Sequence, residues 1–260
     1  MRSCAAVLFS LMTVLLGHIA PAAGNDLGVV LLHGKGGLPS GYIRELAAAL
    51  ESKGYLVSTP TMPWAQNRIY DASFEEAMSE IDREVASLRQ KGAKFVVIAG
   101  HSLGANAALG YVASRDRVDG IIALAPAHTP ELQGFGKRVG PDVSRARALI
   151  TAGKGKEKQR FSDVNQGQDA QVTATAEVYL SWFDPEGPAV MPKSAASFKA
   201  PTPLLVVIGS GERNAQGKDY FFDKAPPHAK SRFVTVAADH FAVPSAAIEE
   251  VMTWLGALRQ

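Results

Sequence analysis

Ser102 stands between two glycines in Gly100-His101-Ser102-Leu103-Gly104, and that arrangement raises nucleophilic chemistry first. A serine hydroxyl is a poor nucleophile at its own pKa, so it needs a base within hydrogen-bond reach and a third group to orient that base. Six histidines are available. His18 falls in the N-terminal segment, and His128 and His228 sit beyond a strand end and in a proline-rich loop. His33 and His101 adjoin strands, where a packing or loop-tethering role is the ordinary one. His240 differs. It lies in Ala-Ala-Asp-His-Phe-Ala-Val-Pro, directly after the last apolar strand and before the last helix, where a loop can carry its imidazole across to Ser102. Asp239 beside it reads as a loop or cap residue, because adjacent side chains diverge. For the orienting acid, Glu212 follows Gly209 by three residues at the end of Leu204-Leu205-Val206-Val207-Ile208. Asp223 and Glu131 are the alternatives, the latter because it follows the strand after Ser102.

These groups need a frame that brings distant stretches together. Phe95-Val96-Val97-Ile98-Ala99 is a continuous apolar run, as expected of a parallel strand covered on both faces, and it enters the Ser102 turn with no spacer. A helix follows from Leu103 to about Ser114. Small residues on both sides of the serine allow strand and helix to approach closely. Gly28 to Leu32, Tyr55 to Ser58, Val118 to Leu124, Pro203 to Ile208 and Arg232 to Val236 read as further strands. The intervening helices are one capped by Ser40 and carrying Tyr42, Ile43, Leu46, Ala47 and Leu50, one over Asp71 to Gln90, and a last one from about Ser245 to Leu258. Strands alternating with helices at this spacing predict an α/β fold: a mostly parallel central sheet with helices on both faces. Ligands bind at the carboxyl ends of such strands, where Lys35, Ser102, Glu212 and His240 would all emerge.

Residues 131–200 interrupt the alternation. They are rich in Gly, Lys, Arg and Pro, with one expected helix from Ala170 to Phe183, and read as a cap or lid inserted over the site. Lys137, Arg138, Arg145, Arg147, Lys154, Lys156, Lys158 and Arg160 stand against Asp142 and Glu157, so the insert is basic. The ordinary reading is solvated surface; the sharper one is attraction of an anionic substrate or an anionic envelope surface. Trp64, Tyr179, Trp182 and Phe183 are candidates for an acyl pocket.

An oxyanion formed at a substrate carbonyl must be met by backbone N–H groups. On a strand–serine–helix elbow these come from the residue after the nucleophile and from the loop after an earlier strand, here Leu103 and Lys35. His33-Gly34-Lys35-Gly36-Gly37 lacks the glycine spacing of either a dinucleotide or a P-loop phosphate site.

Leu-Leu-His-Gly at 31–34, Gly-His-Ser-Leu-Gly at 100–104, Ile-Gly-Ser-Gly-Glu at 208–212 and Asp-His-Phe at 239–241 resemble the α/β-hydrolase superfamily, over nearly all the chain except the N-terminal segment and the insert. The order serine, acid, histidine is the one that superfamily uses. The resemblance implies a serine hydrolase, esterase- or lipase-like, that cleaves carboxylic esters through an acyl-enzyme with Ser102, His240 and Glu212. Thioesters and amides are within reach of the same groups, and a binding protein on the same fold is the non-catalytic alternative. Glutamate as the acid departs from the commoner aspartate. The chemistry calls for no metal and no organic cofactor.

Composition bounds the rest. At 260 residues with 47% hydrophobic and 20% charged, the chain suits one domain with a sizeable core. A net charge of +2 does not favour general nucleic-acid binding, and the expected partner is a small acyl substrate. Residues 1–23 read as a signal peptide: Arg2, an apolar stretch from Ala5 to Leu16, then Ala20-Pro21-Ala22-Ala23. That leaves 24–260 as the expected mature domain, exported to periplasm or medium and without stable membrane insertion. The single cysteine, Cys4, would leave with the signal, so disulfides and thiol chemistry are not expected.

Overall fold

The structure is a computed structural model that describes residues 26–115 and 118–259. The signal-peptide reading of 1–23, with Cys4 and His18, lies outside the described residues.

Six strands form one parallel sheet: β1 (Leu27–Leu32), β2 (Leu56–Ser58), β3 (Phe95–His101), β4 (Gly120–Leu124), β7 (Leu204–Gly209) and β8 (Arg232–Val236), in the order β2-β1-β3-β4-β7-β8. All six expected strands are present. Alternation along them decides which core each side chain enters. Leu27, Val29 and Leu31 join Val97, Leu205 and Val207 on one face, under helices α1 (Arg44–Ser52) and α8 (Ile248–Leu258). Val30 and Leu32 join Val96, Ile98 and Val206 on the other, under α2 (Phe74–Gln90) and α3 (Leu103–Arg115). Val96, Val97 and Ile98 are fully buried, and each contributes on the order of 1.5–3 kcal/mol by leaving water. Helices therefore cover both faces of the sheet, which explains the unbroken apolar runs.

Helix boundaries follow caps. At α2 the Ser73 side chain accepts the Glu76 N–H and Glu76 reaches back to Ser73, a capping box that starts the helix at Phe74 rather than Asp71. The expected Ser40 cap is not used: a turn closed by Gly41 N–H on Leu38 carbonyl delays α1 to Arg44, and Tyr42 is left outside the helix. The last helix is broken at Ala247 into a short α7 (Val243–Ala246) and α8.

The insert is more ordered than its composition suggests. It holds α4 (Gln133–Thr151), an antiparallel hairpin of β5 (Lys158–Asn165) and β6 (Gln168–Thr175), α5 (Ala176–Phe183) and α6 (Met191–Ala196). Val139, Val143 and Ala146 give α4 a buried stripe despite Pro141 in its interior. The helix expected over 170–183 is corrected to half strand, half helix. Val172 and Ala174 point inward and alternate with exposed Gln171 and Thr173, and the Gln166-Gly167 turn has both φ values positive, as a tight hairpin requires. Thr175 then caps α5 by accepting the Val178 N–H. Among the described residues no helix is long and apolar enough to cross a membrane.

Candidate active site

Ser102 is the single residue between β3 and α3, with φ of +57°, a strained conformation for a side chain-bearing residue. Its neighbours explain why the turn tolerates nothing larger than glycine. A Cβ on Gly100 would come within 2.2 Å of the Gly104 backbone, and one on Gly104 within 2.6 Å of the Leu32 carbonyl. The Ser102 N–H donates to Leu124 carbonyl at 2.9 Å, so the elbow is also tied to β4.

The loops after β7 and β8 are joined to each other before they reach the serine. Ser210 N–H donates to Val236 carbonyl and Gly211 N–H to Ala238 carbonyl, at 2.8 and 2.9 Å. Gly209 permits the approach, since a Cβ there would stand 2.3 Å from the Ala238 oxygen. On this ladder Glu212 Oε2 accepts from His240 Nδ1 at 2.8 Å, while Oε1 accepts the Gly209 N–H at 2.6 Å. Both carboxylate oxygens are thus occupied, and Nδ1 carries the imidazole proton. His240 Nε2 is buried and has no hydrogen-bond partner among the described residues. The alternative acids lie elsewhere: Glu131 accepts from the Tyr220 hydroxyl, and Asp223 is exposed in a 3₁₀ turn. Burial raises the Glu131 pKa above the ordinary carboxylate range, the Tyr220 bond opposing that shift. Asp239 is a loop residue that closes the turn ahead of α7, its Oδ1 accepting from Phe241 and Ala242 N–H.

Ser102 and His240 line one cavity of about 270 Å³, with the 33–38 loop, Tyr42, Phe241, Asn165 and Gln166. A second cavity of about 530 Å³ lies across Gln166, His240 and Phe241, walled by Glu212, Arg213, Thr129, Phe135 and Arg138. Gln166, at the tip of the insert hairpin, lines both cavities. The aromatic expectation is overturned: Trp64, Tyr179, Trp182 and Phe183 are at most 1% exposed and line neither cavity, because they pack edge-on and stacked in the core. In their place Tyr42 and Phe241, 56% and 41% exposed, stack on each other at the cavity mouth with ring centres 4.7 Å apart. The basic run contributes little here. Arg138 alone of the eight lines either cavity, and Asp169 and the Gly167 carbonyl hold its guanidinium. Arg145 and Arg147 are likewise paired, with Asp142 and Asp184.

In the 33–38 loop, Gly36 N–H donates to Trp64 carbonyl and Gly37 N–H to Gly34 carbonyl. The N–H groups of Lys35 and Leu103 donate to no group among the described residues. The Lys35 side chain is engaged separately, its ammonium donating to Asp163 Oδ1 at 2.5 Å and Val164 carbonyl at 2.9 Å, in the insert. Burial lowers the Lys35 pKa, and the Asp163 carboxylate pulls it back. Asp163 carried no sequence signal, since only the fold sets it opposite Lys35.

Three histidines act as fixtures. His33 Nδ1–H donates to Gly34 carbonyl and Nε2 accepts the Met62 N–H, so the ring is neutral in a fixed tautomer. His101 Nε2–H donates to the His240 carbonyl at 2.9 Å. Desolvation first, then the neighbouring His240, lowers His101 to about 4. His128 donates to Trp182 carbonyl, and burial holds its pKa well below the ordinary value. Asn106, which the sequence did not mark, donates to the carbonyls of His128 and Ala189 and so ties α3 to the insert. No group of three or more His, Cys, Asp or Glu residues among those described gathers as metal ligands would.

The sequence matches the family model described as the alpha/beta hydrolase family over residues 29–253. No curated protein matches it. Among solved structures it is similar to the monoacylglycerol lipase of Paleococcus ferrophilus, 21% identical, with 87% of this chain and 94% of that one covered and a TM-score of 0.59. It is also similar to a structure reported with the metagenome-derived lipolytic enzymes LipS and LipT, at 14% identity, coverage of 90% and 95%, and a TM-score of 0.64. A thioesterase domain from the curacin biosynthetic pathway aligns at 17% identity, covering 89% and 91%, with a TM-score of 0.54. At these identities the structural likeness speaks for the fold, and the family match over most of the chain completes the assignment: the chain belongs to the alpha/beta hydrolase family.

Proposed function

We propose that the protein hydrolyses carboxylic esters through an acyl-enzyme on Ser102, with His240 as general base and acid and Glu212 as its orienting carboxylate. One observation carries this reading. His240 is bound to Glu212 through Nδ1, and its Nε2, which has no partner among the described residues, belongs to a residue that lines the same cavity as Ser102. A base free at Nε2 and oriented at Nδ1 is what a serine nucleophile requires.

In this mechanism Nε2 takes the Ser102 proton as Oγ adds to the ester carbonyl carbon. The Leu103 and Lys35 N–H groups hold the resulting oxyanion. Glu212 stabilises the imidazolium, which then protonates the departing alcohol. Water, deprotonated by the same nitrogen, cleaves the acyl-enzyme and restores Ser102. The lipolytic proteins of similar fold support the ester reading, and the thioesterase domain makes thioesters the nearest variation. Asn165 and Gln166 on the cavity wall support reading residues 131–200 as a cap. Export guided by residues 1–23, a small acyl substrate and no nucleic-acid partner complete the proposal.

The test is hydrolysis of aryl esters and thioesters of increasing acyl length, with Ser102→Ala alongside. Turnover on the esters should fall by about 10⁴-fold or more in the variant. Wild-type rates in folded Ser102→Ala would refute the assignment, and a preference for thioesters would change the substrate class while keeping the residues.

A further inference from the structure

Lys35 enters the mechanism above only through its backbone N–H, yet its ammonium is buried and spent on the insert. The side chain is 9% exposed and that of Asp163 4%, and the two meet at 2.5 Å across 128 positions of sequence. The Val164 carbonyl takes a second N–H, and the rings of Phe135 and Phe183 lie 5.4 Å from the nitrogen. Asp163 is itself fixed, its Oδ1 also accepting the Val164 N–H at 2.6 Å. Immediately beyond, Asn165 and Gln166 line the same cavity as Ser102. One ion pair therefore grips both the loop that carries the proposed oxyanion donor and the strand that ends in the cavity wall.

We propose that Lys35 and Asp163 are positioning residues. Their pair latches the insert hairpin to the oxyanion loop, so that the insert acts as a fixed wall during turnover and not as a swinging lid. This inference rests on the hydrolase reading above. Stability alone does not explain the pair, because a buried ion pair is often replaceable by apolar residues without loss, whereas removing one partner strands a charge. Direction is what the pair adds. An apolar side chain at position 35 fills the same volume but leaves the peptide between Gly34 and Gly36 free to turn its N–H; outright loss of one oriented donor costs catalysis about 10²- to 10³-fold, and a donor that is only loosened costs less.

The experiment compares Lys35→Met, Asp163→Glu and the double variant Lys35→Met/Asp163→Leu with the wild-type chain. The readouts are kcat and KM on the preferred aryl ester, Tm, and inhibition by an alkyl trifluoromethyl ketone. In that inhibitor Ser102 Oγ adds to the carbonyl carbon, the proton passes to His240 and the carbonyl oxygen becomes an oxyanion, so its affinity reports on the hole directly. A latch predicts kcat lower by about 10- to 100-fold, ketone affinity lower by the same factor, and KM within about threefold. The double variant should recover the wild-type Tm without recovering kcat. Asp163→Glu carries the test if Lys35→Met does not fold. Wild-type kcat and ketone affinity in the double variant, or in Asp163→Glu, would overturn the latch, as would a fall in Tm with kcat unchanged. A wild-type chain that neither turns over esters nor binds the ketone would instead refute the hydrolase reading.

Discussion

Ser102 and His240 face one cavity but are suspended in opposite ways. The serine is held by covalent geometry: a strand, a turn at positive φ and a helix, with backbones so close at Gly100 and Gly104 that no side chain fits. The histidine is held by separable hydrogen bonds: Glu212 on its ring, His101 on its carbonyl, and Asp239 on the two N–H groups that follow. The serine side should fail all at once, and the histidine side by degrees.

The largest effect should come from the histidine ring itself. On the proposed mechanism, His240→Ala should lower ester turnover by up to about 10⁶-fold, and Glu212→Gln, which keeps the shape but loses the charge, by about 10⁴-fold. Steady-state rates with Tm alongside would show whether that order holds; an equal loss from both would mean that Glu212 does more than orient. Next, Gly100→Ala should destabilise the fold by about 3 kcal/mol or prevent folding, since its Cβ meets backbone that has nowhere to go. Urea denaturation measures this, and a well-folded Gly100→Ala would show the elbow to be less confined than its contacts imply.

A pH-dependent effect of similar or smaller size concerns His101. Its folded-state pKa, about 4, lies below the ordinary 6.5, so the unfolded chain binds the proton more readily. The stability reference is therefore the plateau above about pH 6.5, and stability should fall as pH drops from there to about 4, by up to about 3 kcal/mol from this group. His33 and His128 shift in the same direction and add to the slope. Denaturation at pH 7 and pH 5 should show the fall, and His101→Gln should flatten part of it. The smallest effect is expected from Asp239→Ala, which removes a loop hydrogen-bond acceptor worth about 1 kcal/mol and should cost activity only a few-fold.

Much of this was legible beforehand for a physical reason. Strands buried on both faces must be apolar throughout, so β1, β3, β4 and β7 stand out in the chain. The Ser102 turn is a local steric problem whose solution is written in its immediate neighbours. Glu212 and His240 could be placed because each follows a sheet strand, and parallel strands deliver their following loops to one edge. The insert was less legible. A glycine-rich, proline-containing stretch conceals α4, whose buried stripe appears only against α5, and the alternation of β6 is weak without its partner strand.

The local alphabet of this protein was therefore determined by sequence: which stretches are buried, where the serine turns, which loops meet at the sheet edge. Tertiary structure alone decided the partners that span the chain. Lys35 finds Asp163, His101 finds the His240 carbonyl, and the aromatic residues sort into a buried stack and an exposed pair at the cavity mouth. The difference has one cause. Burial and backbone strain are properties of neighbouring residues and leave a periodic or positional mark, whereas a hydrogen bond between residues more than a hundred positions apart is set by how the elements pack.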